Sequence, residues 1–257
     1  MSSKFGLLYV ATGERHSLEA VCNMQRSRPH LEGLPSCLIT DKVRGNEQEH
    51  FDIVRLHDSA VFGYRDKISA LNDLPFDVTL FVDSDAFLIS SVTSIFQLSL
   101  ISEFSAAHAP VRHPPGWSDS DVPSIFPEFN SGVMLLKNCN RVSNLIHSWL
   151  STYDYLYNFY QQNWDQASLR SVVWNSIANN DLSISVLPPE ANLRTTKPWI
   201  AGRGLPVSVI HGRFDASELD HFTSFLNTDV DRFRTWVDWL RLYPNSSIRP
   251  RFDRTYA

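Results

Sequence analysis

Two acidic residues, Asp83 and Asp85, follow an apolar run that ends at Val82, and this arrangement constrains the chain more than any other feature. The run 78–82 is typical of a buried strand. Burying a carboxylate is costly unless it is paired or binds a metal, and two like charges this close disfavour each other's ionised form. Residues i and i+2 of a strand point to the same side, and ligands of open α/β sheets bind beyond the carboxyl ends of the strands. We therefore expect both carboxylates to face one cation, as part of a metal–diphosphate site, with Ser84 facing away.

The composition is that of an ordinary globular protein, because 43% of the 257 residues are hydrophobic and 20% are charged. A chain of this length can bury a sizeable core, and we expect one large α/β domain over residues 1–257. The formal net charge of −5 gives no support to a nucleic-acid-binding function, which normally requires a basic patch.

The apolar runs are short, and the longest, such as 78–82 and 133–136, are far below the roughly 20 residues that a membrane span needs. Residues 1–11 carry one positive charge and a brief apolar run, which favours a first strand over a signal peptide. The cysteines are odd in number, far apart and in no C-x-x-C arrangement. The cysteine pattern predicts reduced thiols in a cytoplasmic protein. The short apolar runs predict a protein without a membrane span.

Apolar and turn patterns predict strands that alternate with helices, which is typical of a mostly parallel sheet with helices on both faces. Strands are expected over 5–11, 36–40, 51–56, 78–82, 104–109, 133–137, 182–187 and 207–210. Helices are expected over 15–28, 64–71, 92–100, 141–160, 165–177 and 229–242. The stretch 110–128 carries five prolines, so we expect either a lid or binding loop or a plain surface excursion there.

Four short motifs follow one another along the chain: Asp83-Ser84-Asp85, Asn130-Ser131-Gly132, Trp164-Asp165-Gln166 and His211-Gly212. Their order and separations resemble those of nucleotide-sugar glycosyltransferases of the glycosyltransferase-A fold, close to the glycogenin-like (family 8) enzymes and related bacterial nucleotide-diphospho-sugar transferases. The resemblance covers about residues 5–213 and implies a single domain of that type, with a C-terminal helical extension over 214–257.

The resemblance implies a metal site, in which Asp83 and Asp85 bind a divalent cation that bridges the donor diphosphate and His211 is a further ligand. Oxygen ligands suit Mg²⁺ or Mn²⁺, and one imidazole favours Mn²⁺. Such a cation offsets the charge that builds on the departing nucleoside diphosphate. The alternative for His211 is a core histidine at a strand end.

The resemblance also implies residues that bind the donor. Lys67 matches a lysine near the phosphates, although an exposed helix lysine is an equal alternative. The loop 11–13, which contains Thr12, lies where related enzymes hold the base and ribose, with Tyr9 or Asp41 as a further contact. Arg213 stands in place of a lysine that often follows the late histidine, and Arg194 is a second candidate for phosphate or acceptor. The remaining expected donor-binding positions are Ser84, Gly132 and Gly212.

Three residues are expected to work at the reacting sugar. Asn130, in a turn before its strand, would bond sugar hydroxyls. Asp165 would accept hydrogen bonds from the sugar, and Gln166 would lie near the reacting face. For Asp165 the alternative is a helix N-cap, and both roles are compatible.

These expectations together predict transfer of a sugar from a nucleotide-diphosphate donor, with UDP favoured, to a hydroxyl of a glycan, protein or small-molecule acceptor. The resemblance favours retention of configuration, whereas inversion would need a carboxylate base such as Asp165, Glu128 or Asp121. One alternative is a nucleotide-sugar-binding module without turnover. Another is a sugar nucleotidyltransferase, although residues 11–15 hold only one of the glycines that its phosphate loop normally needs.

Overall fold

The computed structural model describes residues 4–109, 119–194 and 205–213, together with 219–220, 223–224 and 226–228. The strands are β1 (Phe5–Val10), β2 (Ser36–Thr40), β3 (Ile53–Leu56), β4 (Val78–Val82), β5 (Ala86–Leu88), β6 (Phe104–His108), β7 (Phe129–Lys137), β8 (Ile184–Leu187), β9 (Leu193–Arg194) and β10 (Val209–His211). The α-helices are α1 (Glu14–Ser27), α2 (Glu47–His50), α3 (Tyr64–Ala70), α4 (Asn140–Tyr160) and α5 (Asp165–Ala178). Short 3₁₀ helices span Arg28–His30, Thr93–Leu100 and Pro189–Ala191.

Seven strands form the central sheet in the order β3-β2-β1-β4-β7-β6-β8. Strands β3, β2, β1 and β4 run parallel, as do β6 and β8, and β7 is antiparallel to both of its neighbours. The expected α/β architecture with a mostly parallel central sheet is therefore confirmed. A second sheet of three short strands, in the order β5-β10-β9, lies beyond the end of β4.

Alternate residues of the central strands face two separate cores. Leu80 belongs to the core that includes Met24 of α1, whereas its neighbour Phe81 belongs to the core that includes Trp149 of α4. All five residues of β4 are buried, as expected for a strand that is covered on both faces. Helices on both faces thus accompany a strand that is buried along its whole length.

Most expected elements occur within a few residues of their predicted bounds, with three differences. Residues 93–100 form a 3₁₀ helix instead of an α-helix. Asn130, Ser131 and Gly132 lie inside β7, so the expected turn before a strand is wrong. The predicted helix over 229–242 and most of the extension 214–257 lie outside the described residues.

The proline-rich stretch 110–128 is described only from Asp119 onward. That part is tied to α5, because Arg170 donates hydrogen bonds to the carbonyls of Pro123 (2.7 Å) and Phe126 (3.1 Å). Ser171 also contacts the Asp119 carboxylate. The second half of the stretch therefore packs against the helix that begins with Asp165.

The described helices include none that combines the length and the apolar character needed to cross a membrane. The three cysteines, Cys22, Cys37 and Cys139, are free thiols, as the sequence predicts.

Candidate active site

The acidic pair lies in a turn that connects the two sheets. Strand β4 ends at Val82 and β5 begins at Ala86, and the turn is closed by the Ala86 N–H, which donates to the Asp83 carbonyl (3.0 Å). The Asp83 N–H donates to the Gly132 carbonyl of β7 (2.8 Å). The two carboxylates therefore converge through a turn, and not through the strand alternation that the sequence suggested.

Strand pairing brings the late histidine to this turn. His211 at the end of β10 lies opposite Ala86 in the antiparallel β5–β10 pair, and the next N–H, of Gly212, donates to the Asp85 carbonyl (2.9 Å). His211 Nε2 lies 3.3 Å from Asp85 Oδ1 and 3.9 Å from Asp83 Oδ2.

These side chains fit a divalent cation. One ligand atom from each of Asp83, Asp85 and His211 lies within 4.8 Å of the other two. Two hard oxygens and one imidazole nitrogen form a donor set that suits Mn²⁺ or Mg²⁺. His211 is also buried at a strand end, so its burial is compatible with both alternatives, a core histidine and a metal ligand.

The pKa values of the two carboxyl groups are shifted in opposite directions. Burial raises the pKa of Asp83, and the charge of Lys67 offsets this only in part. Burial also raises the pKa of Asp85, but the charge and hydrogen bond that His211 supplies when it is protonated, together with the charge of Arg213, outweigh it, so this pKa lies below its ordinary value. Burial lowers the pKa of His211, which favours the uncharged imidazole that a metal ligand must be.

Lys67 is not the exposed helix lysine of the alternative interpretation, because only 7% of it is accessible. Its Nζ donates to Ser131 Oγ (3.0 Å), contacts the Asp165 carboxylate and lies 3.5 Å from Asp83 Oδ1. Burial lowers the pKa of Lys67, but the two carboxylates outweigh burial and the pKa is raised, so the ammonium stays charged. Lys67 therefore links the candidate cation site to α5.

Asp165 is the first residue of α5, and its carboxylate does not cap the helix. The N-cap residue is Trp164, without a capping side-chain hydrogen bond, so the N-cap interpretation is wrong. The carboxylate accepts a hydrogen bond from Ser131 Oγ (2.7 Å) as well as binding Lys67. The indole N–H of Trp149 donates to the Asp165 carbonyl (3.0 Å) and thereby holds this end of the helix.

Asn130 and Gln166 belong to a buried row of hydrogen-bonded side chains. Gln166 donates to Glu128 (3.1 Å), Asn130 donates to Gln166 (2.6 Å), and Asn192 donates to Asn130 (2.8 Å). Asn192 Oδ1 lies 2.9 Å from His211 Nδ1. The sequence gives no signal for this role of Asn192, because nothing local indicates a partner on β7.

Gly132 lies in close contact with the candidate cation site. An added Cβ would lie 2.7 Å from His211 Nδ1 and 2.8 Å from Asp83 Oδ2, and nearer still to His211 Cε1. Only glycine allows β7 to pass so near His211 and Asp83.

A cavity of about 580 Å³ opens over these groups. Ten of the expected site residues line it: Thr12, Lys67, Asp83, Ser84, Asp85, Asn130, Asp165, Gln166, His211 and Arg213. Asp41, Gly132 and Gly212 lie outside that lining. The wall also contains an aromatic pair that the sequence analysis missed, Tyr64 and Trp164, with ring centroids 5.6 Å apart.

The first loop is held by two carboxylates. Thr12 Oγ1 donates to Asp66 (2.7 Å), and the Gly13 N–H donates to Asp41 (2.7 Å). Asp41 also binds Arg44 (2.5 Å). Thr12 thus faces the cavity, while Asp41 supports the loop from behind.

Two arginines lie at the cation side of the cavity. Arg194 Nη1 is 3.0 Å from His211 Nε2, and Arg213 Nη1 is 3.7 Å from Asp85 Oδ2. Glu19 of α1 accepts hydrogen bonds from Arg213 (3.2 Å) and from Ser84 (3.3 Å), a role for which its position in the sequence carries no signal.

No protein-family model matches the chain, and no curated protein matches its sequence. Solved structures with a similar fold include the galactosyltransferase LgtC in complex with donor and acceptor sugar analogues, at a TM-score of 0.55 and 11% identity over 87% of this chain and 96% of that one. The apo-form glycosyltransferase GlyE of Streptococcus pneumoniae TIGR4 has a TM-score of 0.57 and 16% identity over 96% of this chain and 64% of that one. Mouse xyloside xylosyltransferase 1 has a TM-score of 0.50 and 15% identity over 82% of this chain and 98% of that one. The chain therefore has the glycosyltransferase-A fold, as the motifs implied, and the narrower likeness to family 8 stays a prediction.

Proposed function

We propose that this protein is a metal-dependent glycosyltransferase that moves a sugar from a nucleotide-diphosphate donor, with UDP favoured, to an acceptor hydroxyl. The observation that carries the proposal is the convergence of Asp83, Asp85 and His211 on one side of a cavity, in a fold shared with glycosyltransferases. The acceptor is a glycan, a protein or a small molecule. The proposal takes the chain as a single transferase domain and, from its dispersed free cysteines, assigns it to the cytoplasm.

In this proposal Asp83, Asp85 and His211 hold Mn²⁺ or Mg²⁺. When bound, the cation supplies Lewis-acid stabilisation of the charge on the departing nucleoside diphosphate. Arg194 and Arg213 line the same end of the cavity, and their planar guanidinium groups suit bidentate binding of phosphate oxygens.

The donor sugar would lie over Asn130, Asp165 and Gln166. The side-chain NH₂ groups of Asn130 and Gln166 each donate one hydrogen bond within the protein, to Gln166 and Glu128 respectively. In this proposal the second hydrogen of each group donates to a sugar hydroxyl. The Asp165 carboxylate keeps acceptor capacity beyond its bonds to Lys67 and Ser131, because an ionised carboxylate has about four lone-pair sites.

The remaining donor contacts follow from position. Thr12 and Asp41 belong to the loops proposed to hold the base and ribose, and Lys67 lies beside Asp83 on the phosphate side. Ser84 lines the cavity beside the proposed ligands and would offer its hydroxyl to the donor, whereas Gly132 and Gly212 would act through the backbone hydrogen bonds by which they hold Asp83 and Asp85.

Retention of configuration is favoured within this proposal. An inverting enzyme needs a carboxylate base near the acceptor. Of the three candidates for this base, Asp165 already binds Lys67 and Ser131, Glu128 accepts a hydrogen bond from Gln166, and Asp121 is exposed. These contacts are the reason why retention is favoured.

The test is a screen of nucleotide sugars for hydrolysis or transfer with Mn²⁺ present and absent. We expect turnover of at least one donor that depends on the cation. Asp85→Asn should abolish cation-dependent donor binding, measured by calorimetry, while the circular dichroism spectrum stays unchanged. Asp181→Asn, at an exposed carboxylate after α5, is the matched control and should bind donor normally.

Two outcomes would contradict the proposal. Unchanged Mn²⁺–UDP affinity in Asp85→Asn would remove the site assignment. Binding of donors without hydrolysis or transfer of any of them would instead indicate a nucleotide-sugar-binding module.

A further inference from the structure

A row of buried polar side chains runs from Glu128 to His211, one of the three residues proposed to bind the cation. The row passes through Gln166, Asn130 and Asn192, with donor–acceptor distances between 2.6 and 3.1 Å. All five residues are at most 6% accessible. Buried polar groups of this kind are rarely interchangeable, because each must match donor to acceptor.

The direction of the hydrogen bonds is set by a backbone group. The Gly132 N–H donates to Asn130 (3.1 Å), and a backbone N–H can only donate, so the atom it meets is the Asn130 carbonyl oxygen. That oxygen also faces Asn192, which must present its NH₂ there and its own oxygen to His211. The Glu128 carboxylate imposes the same direction from the far end, since it accepts from Gln166.

The amide oxygen of Asn192 therefore meets Nδ1 of His211, and an oxygen without hydrogen can only accept. Nδ1 must carry a proton, and in the uncharged imidazole Nε2 then keeps its lone pair.

The opposite tautomer, with the proton on Nε2, also has a hydrogen-bond acceptor within reach. A proton on Nε2 would point to Asp85 Oδ1, only 3.3 Å away, and would occupy the space between the ligands. A histidine ligand needs its lone pair on the metal side, and the hydrogen bond at the other ring nitrogen decides which tautomer is present.

We propose that Asn192 is a positioning residue that selects the Nδ1–H tautomer of His211 and so keeps Nε2 open to the cation. Asn130 and Gly132 orient Asn192 for this purpose. The inference rests on the metal site of the proposed function, but it concerns a property of the metal-free protein that can be measured separately.

The first experiment is ¹⁵N NMR of the histidine side chains in the metal-free wild-type protein above neutral pH, with His211 assigned by its absence in His211→Gln. We expect a protonated Nδ1 and an unprotonated Nε2 for His211. A protonated Nε2 in the wild-type protein overturns the proposal without any further variant.

The second experiment compares Asn192→Leu with Asn192→Asp. The leucine removes the acceptor at similar size, so Nε2–H should appear in the spectrum and Mn²⁺ affinity, titrated without nucleotide, should fall about 10- to 100-fold. The aspartate keeps an acceptor oxygen and should retain the wild-type tautomer, even if contact with the Asn130 oxygen lowers the unfolding temperature. Asn138→Leu, at an exposed asparagine, controls for the substitution.

A purely structural role for Asn192 would lower the unfolding temperature of both variants and leave the tautomer unchanged in Asn192→Leu, which overturns the proposal. If Asn192→Leu does not fold, an uncharged His211 in Asn192→Asp whose proton lies on Nε2, with Nδ1 unprotonated, overturns it equally. Failure of every donor in the transfer screen, with the expected tautomers and Mn²⁺ affinities, would remove the proposed function and leave this inference intact.

Discussion

Because Gly132 has no Cβ atom, the side chains of the candidate cation site have room beside β7. The backbone of Gly132 serves the site twice, since its carbonyl accepts from the Asp83 N–H and its own N–H donates to Asn130. A side chain there would enter the space that His211 and Asp83 occupy. The motif Asn130-Ser131-Gly132 thus matters for the absence of a side chain as much as for the amide.

We predict that Gly132→Ala lowers Mn²⁺ affinity by about tenfold or more, because the ligands must move to admit the methyl group. Isothermal titration of the folded variant with Mn²⁺ measures this. Gly63→Ala is the matched control, since its added Cβ would meet nothing within 4 Å, and its affinity should equal that of the wild-type protein. Equal affinities of the two variants would contradict the close approach.

At the scale of elements, the packing of α4 against α5 positions Asp165. Trp149 of α4 is fully buried, and its indole N–H donates to the Asp165 carbonyl and to Ser168 Oγ, both at 3.0 Å. The aromatic residues of α4 fall into two groups, since Trp149 lies in the core whereas Tyr155 and Phe159 are exposed. The helix pair thus holds the start of α5 against Lys67 and Ser131.

We predict that Trp149→Phe lowers the free energy of unfolding by about 1–3 kcal/mol, through the lost hydrogen bonds and the smaller ring. Urea denaturation followed by circular dichroism gives the value. Trp174→Phe, on the half-buried side of α5, should cost less. A loss of the same size in both variants would argue against a special role for the indole N–H.

At the scale of the whole molecule, the proposed donor site joins segments that are distant in sequence. Its residues come from the loop after β1, α3, the turn after β4, β7, the start of α5 and the end of β10. A ligand that bridges these segments binds the folded state and not the unfolded chain, so it must raise stability.

We predict that Mn²⁺ and UDP together raise the unfolding temperature by about 5–10 °C at concentrations near 100 times the dissociation constant. Differential scanning calorimetry measures the shift, and EDTA should abolish the part that UDP contributes through the cation. Asp85→Asn should show no joint effect. A UDP-dependent shift that persists in EDTA would show binding without the proposed metal site.

The sequence anticipated those parts of the site that depend on local pattern and motif order. Apolar runs and turn residues predicted the strands, and the ordered motifs grouped Asp83, Asp85 and His211. Local pattern alone could not exclude the alternatives for Lys67 and Asp165, an exposed helix lysine and a helix N-cap, because these are what such patterns usually indicate. The structure buries both residues and pairs them with each other.

The alternation of strands and helices can be predicted from the amino-acid sequence, because the spacing of apolar residues follows the periodicities of backbone geometry. Which polar groups meet depends on how the strands and helices pack together. Asn192 reaches Asn130 across 62 positions, and Lys67 reaches Ser131 across 64. Such partners are selected by sheet order and helix packing, which no short stretch of sequence encodes, and the tautomer of His211 follows from them.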